Sequence, residues 1–204
     1  MTALFGLFWL IVLLISITIH EVSHGAMANR LGDPTAKMMG RLSLNPLKHL
    51  DPIGSFLVPL LLWFTIGFPI GWAKPVPINP YNIRDQKYGE AKIALAGPAA
   101  NLILATIFGL TLRFMPQTSS QLIALGNFMD IIIRVNILLA VFNLIPIPPL
   151  DGSKILSAFV PLKYLKWQRQ LEQNRMIVLI VIVLLAPYII WPVVSALYKL
   201  LVGI

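Results

Sequence analysis

Long uninterrupted apolar runs constrain this chain more than any other feature of its sequence. Segments at roughly 3–26, 92–114, 125–147 and 176–200 each hold about 20 mostly apolar residues, the length a helix needs to cross a hydrocarbon core of about 30 Å. Of the 204 residues, 57% are hydrophobic and 12% charged, whereas a soluble domain carries about 25% charged residues. The apolar residues cluster instead of alternating with polar ones, which describes a membrane protein and not a large soluble core. A fifth apolar segment, 53–72, is broken by Gly54, Pro59, Gly67, Pro69 and Gly71. The expected fold is an all-α polytopic membrane protein with four spanning helices plus a re-entrant helix/strand segment; five spans is the alternative. No Ser/Gly-rich linker or charge block divides residues 1–204, which read as a single membrane-embedded domain.

The formal charge of +8 does not point to nucleic acid. A nucleic-acid groove needs cations interleaved with stacking aromatics on a polar face; here they fall between apolar runs, where basic loops orient spans. Residues 27–52, 73–92 and 152–175 carry Lys and Arg, while 115–124 carry none. The first three stretches are therefore expected on the cytoplasmic side of a cell membrane and 115–124 outside. Segment 53–72 then starts and ends on one side, which its Gly/Pro content allows if protein or water satisfies its backbone. The first and third spans both run inward, so His20–His24 and Asp151 reach the cytoplasmic side together. The first charged residue is Glu21, so the N-terminal run lacks the basic start of a signal peptide and reads as a retained span. Cysteine is absent, which removes thiolate metal sites. Residues 163–175, with Tyr164, Trp167 and four cations, read as an interfacial segment facing anionic membrane lipid. Asp130 and Arg134, spaced i, i+4, are expected to pair near the outer surface.

His20-Glu21-Val22-Ser23-His24 is an HExxH pattern. Residues at i and i+4 share a helix face, so both imidazoles can bind one Zn²⁺ while Glu21 points at the water. At the end of an apolar helix, these side chains are costly to bury unless paired or metal-bound. A catalytic zinc takes three protein ligands and keeps one position open. Asp151 closes the third span within Asn143-Leu-Ile-Pro-Ile-Pro-Pro-Leu-Asp151-Gly152, where the prolines unwind the helix and let a side chain project inward. Read alone, Asp151 is an N-cap of the next helix; beside the HExxH on the same side, it reads as the third ligand. His49 and Asp51 offer a second metal site or a gate, or else a polar turn set by Asn45-Pro46 and Asp51-Pro52.

The blocks HExxH, AGPxxN (Ala96–Asn101) and NxxPxPxLDG (Asn143–Gly152) run in the order of the site-2 proteases, and the chain resembles that family of intramembrane metalloproteases. The resemblance implies a three-helix catalytic core, one zinc per chain held by His20, His24 and Asp151, and Glu21 as catalytic acid/base. It implies further that Asn143 helps to position substrate. Asn101 serves beside it or packs against Gly97-Pro98. The chain looks like a short member of the family, without a span before the HExxH helix and without an added regulatory domain.

The expected reaction is zinc-dependent endopeptidase cleavage of transmembrane protein substrates. Segment 70–80, rich in proline, is expected as an edge strand that pairs with the unwound substrate. A membrane zinc transporter and a non-catalytic scaffold are the alternatives. Transport sites favour paired repeats near the midplane, and no repeat is visible here; neither alternative needs Glu21 beside His20.

Overall fold

The computed structural model describes residues 3–51, 74–116 and 118–203. Seven helices occur among them: α1 (Ala3–Arg30), α2 (Thr35–Met38), α3 (Gly89–Phe114), α4 (Ser120–Asn143), α5 (Asp151–Ser157), α6 (Leu162–Gln173) and α7 (Arg175–Val202). Short 3₁₀ turns cover Pro46–His49 and Pro80–Asn82, and no strand is present among the described residues. Helices α1, α3 and α4 are long and apolar enough to cross a membrane. Their outer faces expose residues such as Leu7, Ile11, Ile103 and Ile107, an apolar exterior that suits lipid rather than water.

The four segments expected as spans all fall on helices, α1, α3, α4 and α7, with shifts at the ends. α4 begins at Ser120, five residues before the expected 125, because the Ser119 side chain accepts from the Leu122 amide and caps the first turn. It stops at Asn143 rather than 147, ahead of Pro146 and its lost backbone donor. The interfacial stretch forms α6, a separate helix that ends at Gln173 just before α7.

Helix α3 sits at the centre, packed on α1, α4, α5 and α7. Ala105, Ile133, Ile137, Ile190 and Val194 form a core between α3, α4 and α7. Gly109 lets α7 approach closely, since a Cβ there would lie 2.9 Å from that of Leu201. Asp130 and Arg134 pair as expected, with Arg134 Nε 2.8 and 3.0 Å from the two carboxylate oxygens. Tyr198 joins them by donating its hydroxyl to Asp130, which ties α4 to α7.

The re-entrant expectation for 53–72 lies outside the described residues. Its flanks are described: the Lys74 amide donates to the His49 carbonyl at 2.8 Å, so the two flanks meet. Residues 74–79 form neither helix nor strand and pass over the end of α1.

Candidate metal centre

The HExxH residues fall in the second half of α1, and the i, i+4 spacing puts both imidazoles on one face. His20 and His24 are buried at 6% and 7% exposure. Asp151 comes from the first turn of α5, immediately after the proline-rich exit from α4. It is not the N-cap there; Leu150 occupies that position, and the carboxylate turns toward the histidines instead. Gly152 permits this turn, because a Cβ at that position would collide with the Leu144 carbonyl at the end of α4.

The ligating atoms converge tightly. His20 Nε2 and His24 Nε2 are 2.9 Å apart, and each lies 3.1 Å from Asp151 Oδ2. Zinc bonds of about 2.0–2.1 Å in a tetrahedral site require ligand atoms about 3.3 Å apart. The three separations nearly form one face of such a tetrahedron, and all three residues line the adjoining cavity.

Hydrogen bonds behind the rings decide what those atoms offer. His24 Nδ1 lies 2.7 Å from the Ile93 carbonyl, an obligate acceptor, so Nδ1 carries the proton. His20 Nδ1 lies 2.7 Å from Asn101 Oδ1. The Asn101 amide is oriented by its other end, where Nδ2 donates to the Ser16 carbonyl at 3.2 Å and to Asn136 Oδ1 at 2.8 Å. Asn136 is oriented in turn by donating to Ser16 Oγ and the Ile132 carbonyl. When both imidazoles are neutral, their Nε2 lone pairs face the Asp151 carboxylate, and a divalent cation suits three such donors at one point. His20, His24 and Asp151 together form a group able to hold a metal ion.

Gly97 makes the convergence possible from the α3 side. A Cβ there would lie 2.5 Å from His24 Nε2 and 2.7 Å from His20 Cε1. The AGPxxN block thus supplies a gap for the rings at Gly97 and an orienting acceptor at Asn101.

A cavity of about 770 Å³ opens beside the centre, lined by Glu21, Val76, Asn143, Lys154 and Arg175 among others. Glu21 Oε2 accepts from the Val76 amide at 2.9 Å. Asn143 reaches this cavity, with its Nδ2 donating back to the Leu139 carbonyl. Asn101 does not: it is fully buried behind His20, so it orients a ring and is not placed to touch substrate. His49 is buried, bonds the Ser43 carbonyl through Nε2 at 2.8 Å, and lies outside both the cavity lining and the ligand group. Asp51 is half-buried and is likewise absent from both. Ser16 and Asn136 escaped the sequence reading. Ser16 stands four residues before His20 on the same helix face, and a polar residue there was the available signal.

Fold and site together define a membrane-embedded zinc metalloprotease. The family model for peptidase family M50 matches residues 114–186. YwhC of Bacillus subtilis, whose name assigns it as a zinc metalloprotease, is 38% identical over 193 residues, covering 91% of this chain and 85% of that protein. Rip2 of Mycolicibacterium smegmatis, assigned likewise, is 36% identical over 155 residues, 72% of this chain and 56% of its own length. MJ0611 of Methanocaldococcus jannaschii, again assigned as a zinc metalloprotease, is 38% identical over 101 residues, 48% of this chain and 50% of its own. No solved structure matches. The chain belongs to peptidase family M50, the site-2 proteases.

Proposed function

We propose that this chain is an intramembrane endopeptidase that cuts transmembrane protein substrates from a site open to the cytoplasmic face of the cell membrane. Residues 1–204 act as one peptidase domain, with α1, α3, α4 and α7 as four spans. The meeting of the His49 and Lys74 flanks supports a count in which 53–72 returns to its own side. The single observation that carries the catalytic reading is the convergence of two oriented Nε2 lone pairs and Asp151 Oδ2 within 3.1 Å of one another.

In this reading His20, His24 and Asp151 hold the zinc. When bound, the ion supplies a Lewis acid that makes water acidic near neutral pH and polarises a carbonyl oxygen. Glu21, next to His20 on the same helix, takes the proton of the attacking water and then delivers it to the leaving amine. Those two transfers balance: one O–H breaks, one N–H forms, and the carboxylate is regenerated. Asn143 at the cavity wall offers a neutral amide to the substrate backbone. The cavity lies on the cytoplasmic side of the bundle by the distribution of loop cations, which gives hydrolysis its water.

Glu21→Gln tests the assignment. It keeps the side-chain shape and removes the base, so the purified protein should retain one zinc per chain and lose cleavage of a defined transmembrane substrate in bicelles. Retained cleavage would sink the proteolytic role of Glu21. Zinc flux that survives Glu21→Gln in proteoliposomes would point to transport instead.

A further inference from the structure

Residues 74–79 read Lys-Pro-Val-Pro-Ile-Asn, and their backbone donors are nearly all committed inside the protein. The Lys74 amide donates to the His49 carbonyl at 2.8 Å, the Val76 amide to Glu21 at 2.9 Å, and the Asn79 amide to Asp33 Oδ2 at 2.7 Å. Pro75 and Pro77 have no N–H to give. In extended backbone, alternate residues present their N–H groups to opposite edges. By that alternation Pro75, Pro77 and Asn79 share the edge away from Glu21, and with the Asn79 amide committed to Asp33 that edge offers no free amide. A regular two-way ladder with a substrate strand cannot form there, which narrows the pairing expected from the sequence.

Both ends of the segment are clamped. Arg41 Nη2 donates to the Lys74 carbonyl at 2.8 Å and to that of Pro75 at 3.4 Å. At the other end Asp33, with no solvent exposure, accepts from the Asn79 amide and from Asn82 Nδ2 at 3.0 Å. The same carboxylate accepts from the Thr35 amide and hydroxyl, which fixes it to the start of α2. Between the clamps, the Val76 side chain is buried against α1, where Gly25 leaves room: a Cβ on Gly25 would lie 2.9 Å from Val76 Cγ1. A segment held at both ends and seated in its middle presents the Val76 amide to the carboxylate of Glu21.

We infer that the Val76 amide is a positioning group for Glu21 and that Asp33 is the anchor that sets it, so that residues 74–79 tune the chemical step and not only substrate docking. This rests on the assignment of Glu21 as the proton carrier. A free glutamate side chain samples several rotamers. One oxygen pinned by a fixed backbone N–H leaves the other aimed at the reacting water, and misplacement by about 1 Å costs such a step about a hundredfold.

The test replaces Val76 by its α-hydroxy acid in the full-length protein, so that an ester oxygen stands where the N–H was and the side chain is kept. Asp33→Ala is made in parallel, and both are assayed as zinc-loaded protein in bicelles with a defined transmembrane substrate. Each should hold one zinc per chain and lose kcat by about tenfold to a hundredfold, with KM within about threefold. Combined, they should cost little more than the worse of the two, because both act through one hydrogen bond. An unchanged kcat in the ester overturns the inference, and so does a raised KM at constant kcat, which would reserve the segment for substrate. Zinc loss in Asp33→Ala would make Asp33 a structural residue only. If Glu21→Gln stays active, the catalytic assignment itself fails; if it is inactive while the ester is unaffected, only this inference fails.

Discussion

Two polar clusters lie within this apolar bundle, and their hydrogen-bond balance is opposite. At Asp130 the carboxylate oxygens receive Arg134 Nε and the Tyr198 hydroxyl, while the guanidinium lies 3.8 Å over the Tyr198 ring. Donors meet acceptors there, and the result is a tie between two helices. At His20, His24 and Asp151 the Nδ1 protons are held on the far side of the rings by Asn101 and Ile93. In the neutral rings the two Nε2 lone pairs then face the Asp151 carboxylate. The metal centre is also the more buried of the two, with His20 and Asp151 side chains 7% and 13% exposed against 32% and 42% for Asp130 and Arg134. With neutral rings it holds a surplus of acceptors, and such a surplus in a low-dielectric setting calls for a cation.

The contrast breaks most directly at Asp151. Asp151→Ala should abolish zinc retention through purification and bring cleavage to background, read by metal analysis and substrate turnover; a variant that keeps full zinc would show that the acceptor surplus is incidental. One layer back, Asn101→Leu removes the acceptor that fixes the His20 tautomer. Zinc affinity should fall by about 10–100-fold, measured by competition with a chelator. Gly97→Ala drives a methyl group into both imidazoles and should weaken zinc as well as cost about 1–3 kcal/mol of stability from overpacking. Thermal unfolding with and without zinc separates the two effects.

Acid offers a finer probe of the segment beside the metal centre. Burial by itself would raise the pKa of Asp33, but hydrogen bonds from Thr35, Asn79 and Asn82 outweigh it and hold the carboxyl below its ordinary value. A group depressed in the folded state contributes stability above its unfolded pKa of about 3.9, and that contribution is lost as pH falls through the lower folded value. Limited proteolysis between residues 74 and 82 should therefore stay slow from neutral pH to about pH 4 and accelerate below it. Asp33→Ala should be nicked at all of these pH values alike. The smallest change belongs to the self-satisfied cluster: Tyr198→Phe should cost about 0.6 kcal/mol of stability in bicelles and leave zinc binding and kcat untouched.

Much of this was legible in residue order. Span positions follow from runs of apolar residues, and the two histidines share a face because four residues make slightly more than one turn. Even the approach of Asp151 to the histidines was expected from the sequence, since two helices running in the same direction bring their corresponding ends together. The ends of α4 were misplaced because a single serine cap and a proline decide them, and neither alters the hydropathy of the run.

Other features were settled by packing between helices. Asn101 reaches His20 across 81 positions of sequence, and Val76 reaches Glu21 across 55. Each residue type was visible in the sequence, but an asparagine in a span pairs with whichever buried partner the helix register brings within 3 Å. Periodicity is a local property and is written into neighbouring residues. The matching of one buried donor to one acceptor depends on how α1, α3 and α4 slide and rotate against each other, and only the folded bundle fixes that.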